Sequence, residues 1–406
     1  MGWWYTVYCR LYQGVFRVVS PFLPWREPEL YEGPASVQRL PEILEPRRIR
    51  RVLLVTDRGI VQAGLAQKVA GILEEAEIVP IIFDETVPNP TIDTIEAALR
   101  RYITEGCQAL IALGGGSAID CAKGVGTRIA RPKKKIPQLR GLLKIRKKLP
   151  FFVAIPTTAG TGSEATIAAV ITNAETHEKF TILDHSLIPH GAILDPLLTL
   201  GLPPSITATT GMDALTHAVE AFIGRSNTRE TEAAAIEATR LIHEHLLKVY
   251  RNGQDVEGRE RLLRASYLAG KAFTRAYVGY VHAIAHTLGG MYGIAHGLAN
   301  AVILPYVLEY FGKAAENRLA LLVQKAGIVA PSLPPEEGAR QFIQYIRKLN
   351  KEMNIPEHLP QIQEEHIPLL VQRALAEANP LYPVPRICNA HDMTYLYRVI
   401  KGTVTP

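Results

Sequence analysis

Three of the chain's 12 histidines fall within one stretch of 15 residues, HAIAHTLGGMYGIAH, from His282 to His296. His282 and His286 are four apart and share a helical face. His296 follows Gly289, Gly290 and Gly293, where the chain can turn and bring a third imidazole back. Neutral imidazole is the commonest protein ligand for a catalytic transition metal. An earlier helical stretch, GMDALTHAVEAF, carries Asp213 and His217 at the same spacing among mostly apolar neighbours. A buried carboxylate there is costly unless paired or bound to a metal. Either pair alone fits an ordinary helix hydrogen bond or a satisfied core histidine. Together, with His296, they point to a metal. One carboxylate and several imidazoles without thiolate suit Fe²⁺ or Zn²⁺, with Mn²⁺, Co²⁺ or Ni²⁺ as substitutes. Spacing leaves one histidine too many for a four-ligand site, among 217, 282, 286 and 296.

A second set of residues points to a nucleotide. Apolar, β-branched runs over 52–57, 78–83 and 109–113 alternate with helical patterns over 62–75 and 91–104. That alternation predicts a parallel sheet with crossover helices, whose ligands bind beyond the carboxyl ends of the strands. Asp57 ends the first run. A carboxylate there suits the hydroxyls of an adenosine ribose and repels a 2′-phosphate, which favours NAD over NADP. Gly114, Gly115, Gly116 and Ser117 follow the third run and open a helix through Ala118, Asp120 and Lys123. Glycines let the backbone approach a pyrophosphate, and a helix N-terminus favours its charge. A strand over 151–155 leads into PTTAGTGSE, residues 156–164, a second loop of hydroxyls and glycine amides. A tight strand–helix turn and a generic polar turn are the plainer readings of these two loops.

The elements that must position these residues divide the chain into three. Residues 1–25 read as an amphipathic helix: Thr6, Arg10, Gln13, Arg17 and Ser20 form a polar stripe, and Trp3, Trp4, Val7, Tyr8, Leu11, Val15, Phe16, Val18 and Val19 cover the other side. Arg10 and Arg17 argue against a membrane span. Docking on the chain itself, on a second subunit, or on a membrane interface all fit. Residues 26–202 form the α/β part, closing with a run at 192–196. Residues 203–406 are helical, with patterns over 211–224, 228–250, 258–275, 280–291, 314–327, 335–352, 363–378 and 393–401. At 406 residues, 47% hydrophobic and 21% charged, the chain has room for two cores. The net charge of +6 is local: nine cations and no acid lie between Arg131 and Lys148. The chain as a whole is therefore not a nucleic-acid binder, and the 131–148 segment is either a solvated connection or a contact for acidic lipid or an acidic partner. Cys9, Cys107, Cys121 and Cys388 form no C-x-x-C pair, which points to a reducing cytoplasm and away from a cysteine-bound metal.

The glycine triplet with Asp120 and Lys123, the 156–164 loop, the 211–217 segment and the 282–297 segment with Gly297 occur in this order. In that combination the chain closely resembles the iron-containing (group III) alcohol dehydrogenases, over roughly residues 30 to 401. The resemblance implies a Rossmann-like N-terminal domain, an all-helical C-terminal domain, and NAD(P) and a divalent metal in the cleft between them, the fold shared with dehydroquinate synthase. It implies metal ligation by Asp213, His217, His282 and His296, and leaves His286 free of metal, near the nicotinamide and substrate, as a catalytic residue. It implies cofactor contacts from Asp57, Asn89, Gly115, Gly116, Ser117, Asp120, Thr157, Thr158, Thr161, Thr166 and Lys179. The helix at the N-terminus and the basic segment are not general to that family. The stretch from Asn379 to Asn389 differs from the Gly-Asn-Pro-Arg-like loop common there, and Ala165, Ala168 and Ala169 place small side chains where pocket-lining residues stand.

The expected function is an NAD-dependent, divalent-metal-dependent alcohol dehydrogenase or aldehyde reductase, with Fe²⁺ or Zn²⁺ as metal. The expected setting is a cytoplasmic homodimer acting on a small alcohol or aldehyde, with membrane contact through residues 1–20 and 131–148 as an addition. Alternatives are a glycerol or polyol dehydrogenase on the same fold, a lyase resembling dehydroquinate synthase that uses NAD only transiently, and a non-catalytic membrane-associated or assembling protein.

Overall fold

The computed structural model describes residues 3–19, 25–176 and 178–404, so Ser20 of the polar stripe and the end of the 1–25 segment lie outside the described residues. The chain forms two compact units, one of Pro24–Leu202 with Gly253–Tyr267, the other of Met1–Leu23, Pro203–Asn252 and Leu268–Pro406.

Helix α1 (Trp3–Val19) belongs to the second unit. Arg10 and Gln13 of the polar stripe lie on the docked side, whereas Thr6 and Arg17 of that stripe are exposed. Cys9 and Gln13 are buried, whereas Trp3, Trp4, Tyr8, Leu11, Val15, Val18 and Val19 are exposed. An amphipathic helix ordinarily buries its apolar stripe. Here Arg10 and Gln13 find backbone carbonyls to satisfy them.

The first unit runs through β1 (Glu29–Glu32), α2 (Leu40–Leu44), β2 (Arg51–Val55), α3 (Arg58–Gln62), α4 (Leu65–Glu75), β3 (Val79–Phe83), α5 (Ile92–Thr104), β4 (Ala109–Gly114), α6 (Gly116–Ala130), β5 (Gly141–Leu142), β6 (Phe151–Pro156), β7 (Ala168–Asn173), β8 (Glu178–Leu183) and β9 (Gly191–Leu194). Six strands pair in the order β1-β9-β6-β4-β2-β3, all parallel. Parallel strands covered on both faces read as continuous apolar runs. Accordingly Val52 and Leu54 pack into one layer with Val69 and Leu73, while Leu53 and Val55 pack into the other with Ile95 and Ile119. The helix expected over 62–75 is α4, beginning only after Gly64, which takes a left-handed φ of 75°, and the short α3 precedes it. Several short elements were not anticipated, among them four strands. β1 is a four-residue edge strand, and β5, β8 and β7 make a small separate sheet. The basic 131–148 segment is a folded strap, with Ile136, Leu139, Ile145 and Leu149 buried and Lys133, Lys134, Lys135, Lys144, Arg146, Lys147 and Lys148 exposed.

The helical unit holds α7 (Pro204–Ile223), α8 (Arg229–Arg251), the end of α9 (Val256–Ala276), α10 (Tyr280–Tyr292), α11 (His296–Phe311), α12 (Glu316–Lys325), α13 (Pro335–Glu352), α14 (Ile367–Ala378) and α15 (Ala390–Lys401). Helix α11 escaped the sequence reading because it contains Pro305 and is buried almost all round from Ala299 to Leu308, which removes the helical periodicity. The turn that returns His296 is also shorter than expected. Gly289 and Gly290 lie inside α10, and Gly293 alone takes the left-handed C-cap, with φ 66°.

Candidate metal centre and dinucleotide cradle

Three helices of one unit supply the candidate metal ligands. Asp213 and His217 project from α7, His282 from α10, and His296 is the first residue of α11. One ligand atom from each of the four lies within 4.8 Å of all the others. Glycine permits the approach: a Cβ on Gly297 would stand 2.3 Å from the backbone oxygen of Thr209, so α11 sits against the backbone of α7 one turn before Asp213. His282 Nε2 and His296 Nε2 are 3.8 and 3.6 Å from Asp213 Oδ1. His217 stacks between the rings of Phe273 and His282, at 4.2 and 4.4 Å.

The donor set fits a divalent cation. Asp213, His217 and His282 are buried. Burial pushes the Asp213 carboxyl above its ordinary range, against the pull of His217 and of the Asn300 amide, and burial holds the His282 imidazole well below its ordinary range. Neutral imidazole is the ligating form. Asn300 Nδ2 donates to Asp213 Oδ1 at 2.6 Å and lies 3.2 Å from both His282 Nε2 and His296 Nε2. Its partial positive charge faces the same lone pairs that a cation would take.

Glu220 fixes how His282 presents itself. Its carboxylate accepts from the Gly279 and Val281 amides, both at 2.8 Å, and meets His282 Nδ1 at 2.6 Å. Burial raises the Glu220 carboxyl to about 7, opposed by hydrogen bonds from the backbone of Gly279, Val281 and His282. With Nδ1–H held on Glu220, the lone pair of His282 is on Nε2, towards Asp213. A Cβ on Gly279 would fall 2.6 Å from Glu220 Oε1, so only glycine lets this amide reach the carboxylate.

His286 stands apart from the four. Its Nδ1 pairs with Glu377 Oε1 at 2.6 Å, and Tyr382 donates its hydroxyl to the same oxygen at 2.8 Å. Its ring stacks on His296 at 5.1 Å. The two histidines of α10 thus have different carboxylates and different surroundings.

The α/β unit gathers the expected cofactor residues into three groups. At the carboxyl ends of β2, β4 and β6, Asp57, Gly114–Gly116, Thr157, Thr158 and Thr161 come together. A Cβ on Gly116 would lie 2.6 Å from Thr161 Cγ2, one on Gly115 would lie 3.2 Å from Thr158 Oγ1, and Gly114 has φ 151° with Asp57 Oδ2 3.5 Å from its Cβ position. Thr157 Oγ1 is buried and has no hydrogen-bond partner among the described residues. The glycine amides at the start of α6 face this space, as an anion requires. In the second group, Lys179 donates to Asn89 Oδ1 at 2.6 Å, and the Asn89 amide donates to Ser117 Oγ at 3.1 Å. The third is structural. Asp120 spends its oxygens on the Ser163 hydroxyl and the Val170 amide, at 2.6 and 3.0 Å. Thr166 Oγ1 accepts from Lys123 Nζ at 2.9 Å. The buried Lys123 ammonium also meets the carbonyls of Ser163, Thr166 and Ala168 at 2.7, 3.0 and 2.7 Å, and burial lowers it to about 8.

Glu220, Asn300, Glu377 and Tyr382 were missed by the sequence reading. The first two carried a signal: Glu220 follows Asp213 by seven residues and Asn300 follows His296 by four, so each shares a face with a candidate ligand. Nothing local marks Glu377 and Tyr382, which meet His286 only through the fold.

Residues 28–196 match the family described as iron-containing alcohol dehydrogenase, and residues 207–400 match the C-terminal part of the Fe-containing alcohol dehydrogenase family. The chain is 38% identical over 370 residues to a 1,3-propanediol dehydrogenase of Klebsiella pneumoniae, covering 90% of this chain and 95% of that one. A solved 1,3-propanediol oxidoreductase superposes with a TM-score of 0.88 at 37% identity, over 93% of this chain and 99% of that one. A sulfoacetaldehyde reductase from Bifidobacterium kashiwanohense, solved in complex with NAD⁺, superposes with a TM-score of 0.81 at 28% identity, over 94% and 99%.

Proposed function

Because the chain belongs to the iron-containing alcohol dehydrogenase family, we propose that Asp213, His217, His282 and His296 hold a catalytic divalent metal, Fe²⁺ in the first instance. The chain is an oxidoreductase acting on CH–OH groups with NAD. Its substrate in this reading is a small primary alcohol or diol, or the corresponding aldehyde in reverse. The single observation that carries the reading is the cluster of four ligand atoms within 4.8 Å, three of them from buried residues. When bound, the metal supplies Lewis acidity towards the substrate oxygen, and NAD supplies the hydride acceptor. The chain does the rest. Glu220 holds His282 in its ligating tautomer. The glycine turn after β4, with Thr158 and Thr161, receives the pyrophosphate. Asp57 takes the adenosine ribose, and Asn89, Ser117 and Lys179 line the same loop cluster. His286, oriented by Glu377, moves the proton released from the alcohol.

The test is NADH formation by protein loaded anaerobically with Fe²⁺ or Zn²⁺, over a panel of small alcohols that includes 1,3-propanediol and glycerol. Steady accumulation of NADH is expected. A best rate with glycerol makes it a polyol dehydrogenase. No NADH with any alcohol sinks the dehydrogenase reading and favours a lyase that uses NAD transiently.

We also propose that the outward apolar face of α1 rests on an anionic lipid surface. Trp3 and Trp4 are 68% and 76% exposed, Tyr8 and Leu11 are exposed with them, and the helix carries an exposed Arg17 and no acid. Interfacial aromatics with cationic residues suit such a surface, and no described helix is long and apolar enough to cross a membrane. Sedimentation with phosphatidylserine vesicles, lost on deleting residues 3–19, is the expected result. Absence of sedimentation, or self-association through the same residues, overturns it.

A further inference from the structure

Helix α1 lies outside both spans that match the family, yet its docked face reaches towards the metal pocket of its own unit. Arg10 donates from Nη1 and Nη2 to the carbonyls of Val384 and Pro385, each at 2.8 Å. Gln13 Nε2 donates to the carbonyls of Tyr382 and Pro380, at 2.8 and 3.1 Å, while its Oε1 accepts from Arg10 at 2.8 Å. Four carbonyls within six residues are thus satisfied by two side chains of one helix. Gln13 is 5% exposed, so no water replaces these bonds in the folded state.

The segment they hold, 379–389, has neither helix nor strand through residue 389. Its two ends are tied to α10: the Tyr280 hydroxyl donates to Asn379 Oδ1 at 3.0 Å and accepts from the Cys388 amide at 2.9 Å. Its middle is held by α1, and by the Arg225 amide on the Pro383 carbonyl at 2.7 Å. The middle residue Tyr382 is the one that matters. Gln13 holds its carbonyl, and its hydroxyl donates to Glu377 Oε1, the oxygen that pairs with His286 Nδ1. An unbroken series of contacts therefore runs from α1 through Tyr382 and Glu377 to His286.

We propose that α1 is a positioning element for His286. Gln13 and Arg10 set the 380–385 backbone, this places the Tyr382 hydroxyl on Glu377, and the carboxylate so held fixes the orientation and tautomer of the His286 ring. The helix and the irregular segment form one device, in which an added helix orders a loop that has no secondary structure of its own. The proposal rests on the reading of His286 as the proton-moving group.

The experiment uses the full-length, metal-loaded protein with NAD and 1,3-propanediol. Gln13→Met keeps the volume of the side chain and removes both donors, and Tyr382→Phe removes one hydroxyl. The expected result is a kcat lowered about 5- to 10-fold in each single variant, with KM for NAD and metal content unchanged. The double variant is expected to be no slower than the slower single one, since both act through one contact series. Additive losses, an unchanged kcat in Gln13→Met, or a loss that tracks metal content or Tm overturns the proposal. His286→Ala separates the two layers. If it keeps full kcat, the reading of His286 itself fails; if it is slow while Gln13→Met is not, only the role of α1 fails. Should Gln13→Met not fold, deletion of residues 3–19 is compared with Tyr382→Phe in the same way.

Discussion

The metal pocket and the dinucleotide cradle solve opposite problems. In the pocket, charged or basic side chains are gathered in a largely buried place, and two of them are answered by another side chain, His282 by Glu220 and Asp213 by Asn300, as His286 beside them is by Glu377. The proposed cradle offers chiefly backbone amides and hydroxyls, with three successive glycines at its turn. Gly114 and Gly116 have no room for a Cβ beside Ala118 and Thr161, and Gly115 only a tight fit against Thr158. A small, doubly charged cation needs fixed donors at short range, whereas an extended pyrophosphate needs close approach and spread-out partial charge. The two sites should therefore fail separately, and most of the expected outcomes are ways to test that separation.

The largest effect is expected from His282→Ala. One ligand is lost, and the Glu220 carboxylate loses a donor. Metal content should fall to background and turnover by well over the roughly 100-fold that losing an outer partner costs. NADH binding, read by fluorescence, should persist because no cradle residue is touched. Full turnover in metal-free protein would falsify the ligand assignment, and loss of NADH binding would break the separation of the two sites.

Glu220→Gln probes the next layer of the pocket. The amide cannot accept from Gly279, Val281 and His282 together, so one donor is left facing another. Metal affinity, measured by competition with a chelator, should weaken by about 10- to 100-fold. An unchanged affinity means that the tautomer of His282 is set elsewhere.

On the other side, Gly116→Ala places a methyl 2.6 Å from Thr161 Cγ2. Overpacking of this kind costs about 1–3 kcal/mol, which amounts to a roughly 10- to 100-fold rise in the Kd for NAD. Metal content should not change. A variant that binds NAD normally shows that the 156–164 loop yields and that the glycine serves the turn alone.

The same contrast explains what could be read without coordinates. The clustering of Asp213, His217, His282 and His296 was legible because residue type and helical spacing carry it, yet spacing could not choose a ligand set among four histidines. That choice depends on Glu220 and Glu377, carboxylates from α7 and α14 that bring the two histidines of α10 to different ends. The cradle was legible from glycines at strand ends, because absent side chains leave a mark in sequence. The sheet order was not, since β1 is a four-residue edge strand whose register with β9 is set by tertiary contact. Helix α1 shows the limit of periodicity. Its amphipathic pattern was plain, but which face docks was decided by the carbonyls of 380–385, and these are invisible to a hydrophobic pattern. Asp120 shows another limit: a polar residue in a binding motif can be spent on the loop, here on Ser163 and Val170, rather than aimed at a ligand.

The smallest effect, and the most selective, concerns the carboxylate beside the glycine turn of the cradle. Asp57 caps α3, with Oδ1 accepting from the Ile60 amide at 3.1 Å, and its Oδ2 faces the Gly114 turn. Half-buried just beyond β2, its carboxylate stands, in the proposed reading, where a 2′-phosphate would come. Asp57→Asn retains a cap oxygen for Ile60 and removes only the charge. Relief of roughly 1.4 kcal/mol of repulsion corresponds to an about tenfold rise in the NADP-to-NAD ratio of kcat/KM. Metal content and Tm should stay as in the parent. Asp57→Ala should raise the same ratio and also lose the cap, at about 1 kcal/mol of stability read as a lower Tm. If the ratio is unmoved in both variants, the choice of cofactor is made by the shape of the cradle, and the contrast with the charge-built metal pocket becomes sharper still.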